Sequence, residues 1–272
     1  MSRASVNGIT VGYDDQGRGA PLVLVHGHPF DRSMWAPQVA ALAGPELRVI
    51  APDLRGYGES TVVPGKTPLE TFARDIAALL DHLGLGEVVI GGLSMGGQIV
   101  MEFYRLFPGR VRGLLLADTF AQAETGEGRK LRAAQADRLL REGMRPYAEE
   151  VLPKMVAPYN IEALPEVAAH VLGMMRGAPP EGAAAALRGR AERPDYGDLL
   201  AEVSVPALVV VGRDDEFTPV ADAEFMSRRI PGATLAVVEG AAHMPNLERP
   251  AEFDGALRGL LAAVGRAAVP GG

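Results

Sequence analysis

The chain has 272 residues and a formal net charge of −7, and its composition of 47% hydrophobic and 22% charged residues is ordinary for a globular protein. A chain of this length can bury a large core without disulfides or structural metals. The acidic balance argues against a nucleic-acid phosphate track and an anionic membrane surface, because both favour basic patches. Cysteine is absent, which excludes disulfide frameworks, thiolate zinc sites, iron–sulfur clusters and cysteine nucleophiles.

The N-terminal residues predict no secretory signal, since no basic stretch precedes an apolar core and a small-residue cleavage site. The longest apolar runs, such as LVLV and ALVVV, have four to six residues. A bilayer-spanning helix requires about 20 apolar residues. We therefore expect a cytoplasmic protein that binds neither membranes nor nucleic acids.

Short apolar runs alternate along the chain with segments of helical periodicity. The runs are rich in Val, Leu and Ile and mostly lack polar alternation, as is typical of buried parallel strands. The predicted strands are 22–25, 47–51, 87–91, 111–117, 206–211 and 233–238, and the predicted helices between them are 69–83, 95–107, 219–229 and 250–264. This alternation predicts an α/β fold with a mostly parallel, doubly wound sheet and functional loops at the carboxyl ends of the strands.

The segment 121–200 interrupts the alternation. It contains several helix-like pieces, no convincing strand and repeated prolines from Pro146 to Pro194. We interpret it as a helical cap, or lid, inserted into a core that is formed by residues 1–120 and 201–272.

The strongest chemical signal is GGLSMGG at 91–97, which follows a predicted strand and precedes a predicted helix. A serine on such a sharp turn is a nucleophile elbow, and Gly92 and Gly96 remove the Cβ atoms that would collide there. The alternative is a glycine-rich loop with a solvated serine, and the flanking strand and helix disfavour it. Ser94 is therefore the candidate nucleophile.

Serine is a poor nucleophile at neutral pH and needs a base, which in turn needs an orienting acid. Asp215 lies in VGRDDEFTP and His243 in EGAAHMPNLERP, each just after a predicted strand. In a parallel sheet both side chains would emerge at the same edge as Ser94. The chain order serine, aspartate, histidine is the order of an α/β-hydrolase triad.

On these residues the sequence resembles the α/β-hydrolase superfamily, in the branch of small bacterial serine esterases, cofactor-free haloperoxidases or perhydrolases, enol-lactonases and carbon–carbon bond hydrolases. The similarity covers nearly the whole core and is carried by HGHPFDRSMW, DLRGYGES, GLSMGG, GRDDEFTP and GAAHMPNLERP. It implies an α/β-hydrolase fold with a cap, and the cap is the part that it covers least.

The resemblance assigns the triad acid to Asp215, counted from Gly212 and Pro219. Two alternatives stay open, Asp214 in the same loop and Asp118 after an earlier strand, because some relatives carry their acid there. The resemblance also implies an oxyanion hole made by the backbone N–H groups of His28 and Met95.

Four apolar side chains next to these elements are candidates for the substrate pocket: Phe30, Phe120, Phe217 and Met244. The pair His26 and His28 has no third ligand at suitable spacing, so we expect no metal site. Nucleotide-binding glycine motifs are also missing, because Gly84-Leu85-Gly86 precedes a strand instead of following one. We therefore expect no cofactor.

The sequence thus predicts a serine hydrolase that cleaves a small-molecule carboxylic ester or lactone through an acyl-enzyme on Ser94. Three alternatives remain. A perhydrolase or haloperoxidase and a carbon–carbon bond hydrolase would both use the same triad, and a non-catalytic ligand-binding relative would not turn over.

Overall fold

An eight-stranded sheet forms the centre of the protein, whose computed structural model describes residues 2–267. Residues 268–272, the end of the predicted core segment 201–272, lie outside this description, as does Met1. The strands are β1 (Ser2–Val6), β2 (Ile9–Gly17), β3 (Ala20–Val25), β4 (Leu47–Pro52), β5 (Val88–Leu93), β6 (Val111–Ala117), β7 (Ala207–Gly212) and β8 (Thr234–Val238).

The strand order is β1-β2-β4-β3-β5-β6-β7-β8. The strands from β4 to β8 in this order pair in parallel, whereas β2 pairs antiparallel with both β1 and β4. The prediction of a mostly parallel, doubly wound sheet is confirmed, and all six predicted strands are present. The antiparallel pair β1 and β2 was not predicted.

Helices follow most of the strands. They are α1 (Ala36–Leu42), α2 (Leu69–His82), α3 (Met95–Leu106), α4 (Gly126–Glu142), α5 (Met144–Met155), α6 (Pro158–Ala163), α7 (Pro165–Gly177), α8 (Pro180–Arg190), α9 (Gly197–Ala201), α10 (Val220–Arg229), α11 (Pro245–Glu248) and α12 (Pro250–Ala267). Within residues 2–267, no helix has both the length and the apolar content to cross a bilayer.

Both faces of the sheet are covered, which explains why its strands read as uninterrupted apolar runs. Along β3, Val23 and Val25 belong to the apolar cluster that includes α2 and α3. Leu22 and Leu24 belong to the opposite cluster, which includes α1 and α12. Alternate residues of a strand point to opposite faces, so a strand between two helical layers needs apolar side chains at every position.

The segment 121–200 is fully described; it carries α4 to α8 and the first part of α9, and no strand. Helix α8 approaches the core very closely. A Cβ added at Gly182 would lie 1.9 Å from the Gly56 carbonyl oxygen, and one at Gly189 would lie 1.7 Å from the Thr67 carbonyl oxygen. The two glycines are seven residues apart, on one face of α8, and they let its backbone lie directly on the core loop 53–68.

Candidate active site

Ser94 lies at the turn between β5 and α3, with φ 58° and ψ −118°. This left-handed backbone is unusual for a residue with a Cβ atom and is held by the surrounding structure. A Cβ at Gly92 would lie 2.3 Å from the Gly96 carbonyl carbon, and one at Gly96 would lie 2.2 Å from the Val25 carbonyl oxygen. The turn therefore needs glycine on both sides of Ser94.

His243 follows β8 and Asp215 follows β7, so the parallel sheet carries both to its carboxyl edge. His243 Nδ1 donates a hydrogen bond of 2.7 Å to Asp215 Oδ2, and both side chains are buried. Burial acts to raise the pKa of Asp215, but the charge and hydrogen bond of His243, with hydrogen bonds from Thr218 and the Phe217 N–H, hold it below its usual value. Asp215 is therefore an ionised acceptor that fixes the imidazole.

Ser94 and His243 line one cavity of about 400 Å³. Their side chains are not hydrogen-bonded to each other in the described part of the chain, and catalytic hydrogen bonds are often long in a free enzyme. The Phe217 ring meets the His243 ring edge-on, with 5.2 Å between centroids. The three predicted triad residues thus meet at one rim of the sheet.

The two alternative acids occupy different positions. Asp214 is exposed and accepts a hydrogen bond of 2.5 Å from the Tyr159 hydroxyl, on the outside of the site. Asp118 is buried, and its Oδ1 accepts a hydrogen bond of 2.9 Å from the Gly212 N–H. Burial, followed by the charge of Asp215, raises the pKa of Asp118 well above its usual value. Asp118 therefore lies beside the triad in surroundings that favour its protonated form.

Of the two residues predicted to form the oxyanion hole, His28 lines the cavity, and Met95 directly follows Ser94. Met95 is the first residue of α3, so its N–H has no acceptor within the helix and lies at the positive end of the helix dipole. His28 lines the cavity, and its Nδ1 is 2.7 Å from the Tyr57 hydroxyl. Burial and the nearby charges of Arg190 and Arg132 lower the pKa of His28 well below its usual value.

His26 is occupied on both ring nitrogens. Its Nε2 accepts a hydrogen bond of 2.9 Å from the Leu54 N–H, so Nδ1 carries the proton and donates to the Gly27 carbonyl oxygen at 2.8 Å. Burial lowers the pKa of His26. These bonds tie β3 to the loop after β4 and leave no lone pair on the ring for a metal.

The four pocket candidates divide into two pairs. Phe120 and Phe217 line the cavity. Phe30 and Met244 are 1% and 0% exposed and pack in the apolar cluster of α1 and α12, away from the cavity lining. Nearness in sequence to a catalytic element does not decide which way a side chain points, and these two point into the core.

Sequence reasoning missed the polar wall of the cavity, which the segment 121–200 supplies. Its lining residues on α4 are spaced like one face of a helix. The polar residues of this wall are Glu124, Arg132, Gln135, Tyr147 and Arg190, and Gly128, Leu131, Met155 and Leu187 lie between them. A signal was present for Arg190, which falls three residues after Leu187 on the buried face of an alanine-rich helix.

Glu248 connects the histidine loop to the segment 121–200. Its Oε1 accepts a hydrogen bond of 2.8 Å from the Ala242 N–H, next to His243. Its Oε2 accepts bonds from the Ala157 N–H at 2.9 Å and from Asn160 Nδ2 at 2.7 Å. One buried carboxyl group therefore holds together the two parts of the chain that enclose the cavity.

Comparison with known proteins agrees with this architecture. The family described as the α/β hydrolase fold matches residues 20–250. Among solved structures, a thermophilic esterase from Thermogutta terrifontis with malate bound is 42% identical, with a TM-score of 0.94 over 97% of this chain and 99% of that one. The enol-lactonase from Burkholderia xenovorans is 30% identical, with a TM-score of 0.89 over 96% of this chain and 100% of that one.

A curated relative gives the same result from sequence. The 3-oxoadipate enol-lactonase 2 of Acinetobacter baylyi is 32% identical over 230 residues, which cover 84% of each protein. The family match spans both the elbow of Ser94 and the loop of His243. The chain therefore belongs to the α/β hydrolase family.

Proposed function

We propose that the protein is a serine hydrolase that cleaves a small carboxylic ester or lactone through an acyl-enzyme on Ser94. The observation that carries the proposal is the shared cavity of Ser94 and His243, with the imidazole held by Asp215 at 2.7 Å. Ester and lactone chemistry is supported by the esterase and enol-lactonase relatives at 42% and 30% identity.

In the proposed first step, the Ser94 oxygen attacks the carbonyl carbon while His243 Nε2 takes the hydroxyl proton. Asp215 accepts the hydrogen bond of Nδ1–H, which fixes the tautomer and stabilises the imidazolium. The N–H groups of His28 and Met95 stabilise the oxyanion, a contribution worth about 10²–10³ in turnover for each donor. His243 then gives its proton to the leaving oxygen as the carbonyl–oxygen bond breaks.

In the second step, His243 takes a proton from water, and the resulting hydroxide attacks the acyl-enzyme. The carboxylic acid leaves as the proton returns to the Ser94 oxygen, so the enzyme is regenerated with no net change. In this proposal, residues 121–200 act as the cap that covers the acyl group. Leu187 and Met155 supply apolar contacts with the substrate, and Arg132 and Arg190 supply positive charge.

Rapid mixing with p-nitrophenyl butyrate tests the proposal. We expect a burst of about one p-nitrophenol per active site, and intact-mass spectrometry should find one butyryl group on the protein. Ser94→Ala should remove both signals. Ser5→Ala, at an exposed position of β1, is the matched control and should keep them.

A burst that persists in Ser94→Ala would contradict the nucleophile assignment. Hydrolysis without any covalent intermediate would contradict the acyl-enzyme. Hydrogen peroxide and a halogenation indicator, added to the same assay, measure whether peroxide replaces water in the second step.

A further inference from the structure

Arg190 is a buried cation whose two terminal nitrogens have no protein partner in the described residues. Its side chain lines the cavity of Ser94 and His243, although the residue is only 8% exposed. Within residues 2–267, its one side-chain hydrogen bond runs from Nε to Gln98 Oε1, at 2.7 Å. A buried guanidinium without a carboxylate costs several kcal/mol in lost hydration. An anion that binds the two terminal nitrogens of Arg190 would therefore offset this cost.

The carboxylate that shares the cavity wall with Arg190 is already paired with other arginines. Glu124 Oε2 forms an ion pair with Arg132 and a second one with Arg193, at 3.0 Å from its Nη1. Burial opposes ionisation of Glu124, but the hydrogen bonds of Arg132 and Arg193 lower its pKa to about 2. Two guanidinium groups thus share this carboxylate. Because Arg132, Arg190 and Glu124 all line the cavity, this wall carries an excess positive charge although the whole chain carries −7.

Arg190 is also held in place. It is the last residue of α8, which Gly182 and Gly189 seat on the backbone of the core loop. The Thr67 N–H donates a hydrogen bond of 3.0 Å to the Ala185 carbonyl oxygen of the same helix. Its partner Gln98 lies one turn after Ser94 on α3, where the Gln98 N–H donates to the Ser94 carbonyl oxygen at 3.2 Å. The cation is therefore fixed relative to the nucleophile.

We propose that Arg190, with Arg132 beside it, binds a free carboxylate of the substrate. The hydrolase would then prefer esters that carry such a carboxylate in addition to the ester group. The planar guanidinium presents two parallel N–H donors, which match a carboxylate in a bidentate pair. The free carboxylate would lie on the cap side of the cavity while the ester carbonyl lies at Ser94. The inference rests on the ester hydrolysis proposed above and adds its substrate class.

The test compares two esters that have the same number of acyl carbons. Mono-p-nitrophenyl glutarate carries a free carboxylate, and p-nitrophenyl valerate is neutral. The wild-type enzyme should have the higher kcat/KM for the glutarate ester. Arg190→Met should lower the ratio of the two kcat/KM values by about 10- to 100-fold, since a charged hydrogen bond contributes about 1.5–3 kcal/mol. Arg190→Lys should keep part of the preference.

Arg188→Met is the matched control on the same helix. Arg188 is part-exposed and pairs with Asp137 on the outside of the cavity, so its loss should leave the ratio unchanged. Wild-type protein provides a second readout that needs no variant. Free glutarate should inhibit hydrolysis of p-nitrophenyl valerate competitively, and the uncharged glutaramide should not.

Equal kcat/KM for the two esters in the wild type, or an unchanged ratio in a folded Arg190→Met, would overturn the carboxylate subsite. Equal inhibition by glutarate and glutaramide would also overturn it. None of these results would refute the proposed serine hydrolase, because hydrolysis of the neutral ester would still depend on Ser94. Loss of that dependence would instead refute the serine mechanism.

Discussion

Asp118 and Asp215 lie with carboxyl oxygens within 4.8 Å of each other, yet of the two only Asp215 is hydrogen-bonded to His243. Two carboxylates this close do not both ionise readily. Their surroundings shift the two pKa values in opposite directions, because His243 stabilises the charge of Asp215 and burial favours the protonated form of Asp118. The pair therefore divides into one acid that orients the imidazole and one whose pKa is raised.

The first prediction separates these two roles by amide substitution. Asp215→Asn should lower kcat by about 10⁴, because the amide cannot stabilise the imidazolium or select its tautomer. Asp118→Asn should lower kcat by no more than about tenfold, roughly 1.4 kcal/mol in the barrier. The amide oxygen can still accept from the Gly212 N–H, and its NH₂ replaces a carboxyl proton. Steady-state kinetics on p-nitrophenyl butyrate measures both, and the reverse order of effects would assign the triad acid to Asp118.

The second prediction concerns stability and pH. The pKa of Asp118 is raised in the folded state, so between its unfolded value, about 3.9, and its folded value the native protein holds a proton that the unfolded chain has lost. The contribution of Asp118 is thus fully present below pH 4 and is lost as the pH rises through the folded pKa. Asp118→Asn cannot titrate, so its stability should increase relative to wild type as the pH rises.

Urea unfolding from pH 4 to pH 9 measures this difference in the free energy of unfolding. Asp222→Asn is a milder control, because Asp222 is less buried and its pKa is raised less. A difference between Asp118→Asn and wild type that stays constant with pH would show that the Asp118 carboxyl is already ionised in the folded protein.

The sequence was sufficient for the central strands and for the elbow, because both depend on local chemistry. Strands covered on two faces must be apolar at every position, and the turn at Ser94 must have glycine at positions 92 and 96. Strand β2 escaped prediction because its sequence, ITVGYDDQG, is polar in its second half and carries an internal glycine. It lies in the antiparallel part of the sheet, where only some positions are buried.

The polar wall of the cavity depends on tertiary contacts that the sequence does not display. Arginine is usually a surface residue, and the spacing of Arg190 after Leu187 on an alanine-rich helix does not by itself say which cavity the side chain enters. Arg190 is buried because α8 packs on the core through Gly182 and Gly189. These glycines contact Gly56 and Thr67, which lie more than 100 positions earlier in the sequence. Asp215 and His243, by contrast, could be predicted to lie at the same sheet edge as Ser94, because each follows a parallel strand, and the choice of Asp215 over Asp214 rested on the resemblance.

The third prediction uses the backbone of Ser94. Its φ of 58° costs a residue with a Cβ atom about 1–2 kcal/mol, a cost that glycine does not have. Ser94→Gly and Ser94→Ala should both be inactive, but the glycine variant should melt about 2–8 °C higher than the alanine variant. Differential scanning calorimetry of the two variants measures the strain at the elbow. Equal melting temperatures would mean that the turn relaxes when the hydroxyl is removed.

The fourth prediction tests the connection made by Glu248. In Glu248→Gln an NH₂ group must face either the Ala242 N–H or the donors Ala157 and Asn160, so at least one buried donor loses its acceptor. The cost should be about 1–3 kcal/mol, which lowers the melting temperature by about 2–12 °C. Because Ala242 precedes His243, kcat should fall as well. Glu252→Gln, at an exposed position of α12, should change neither quantity. If Glu248→Gln lost stability with no loss of kcat, the bond would brace the fold without positioning the histidine.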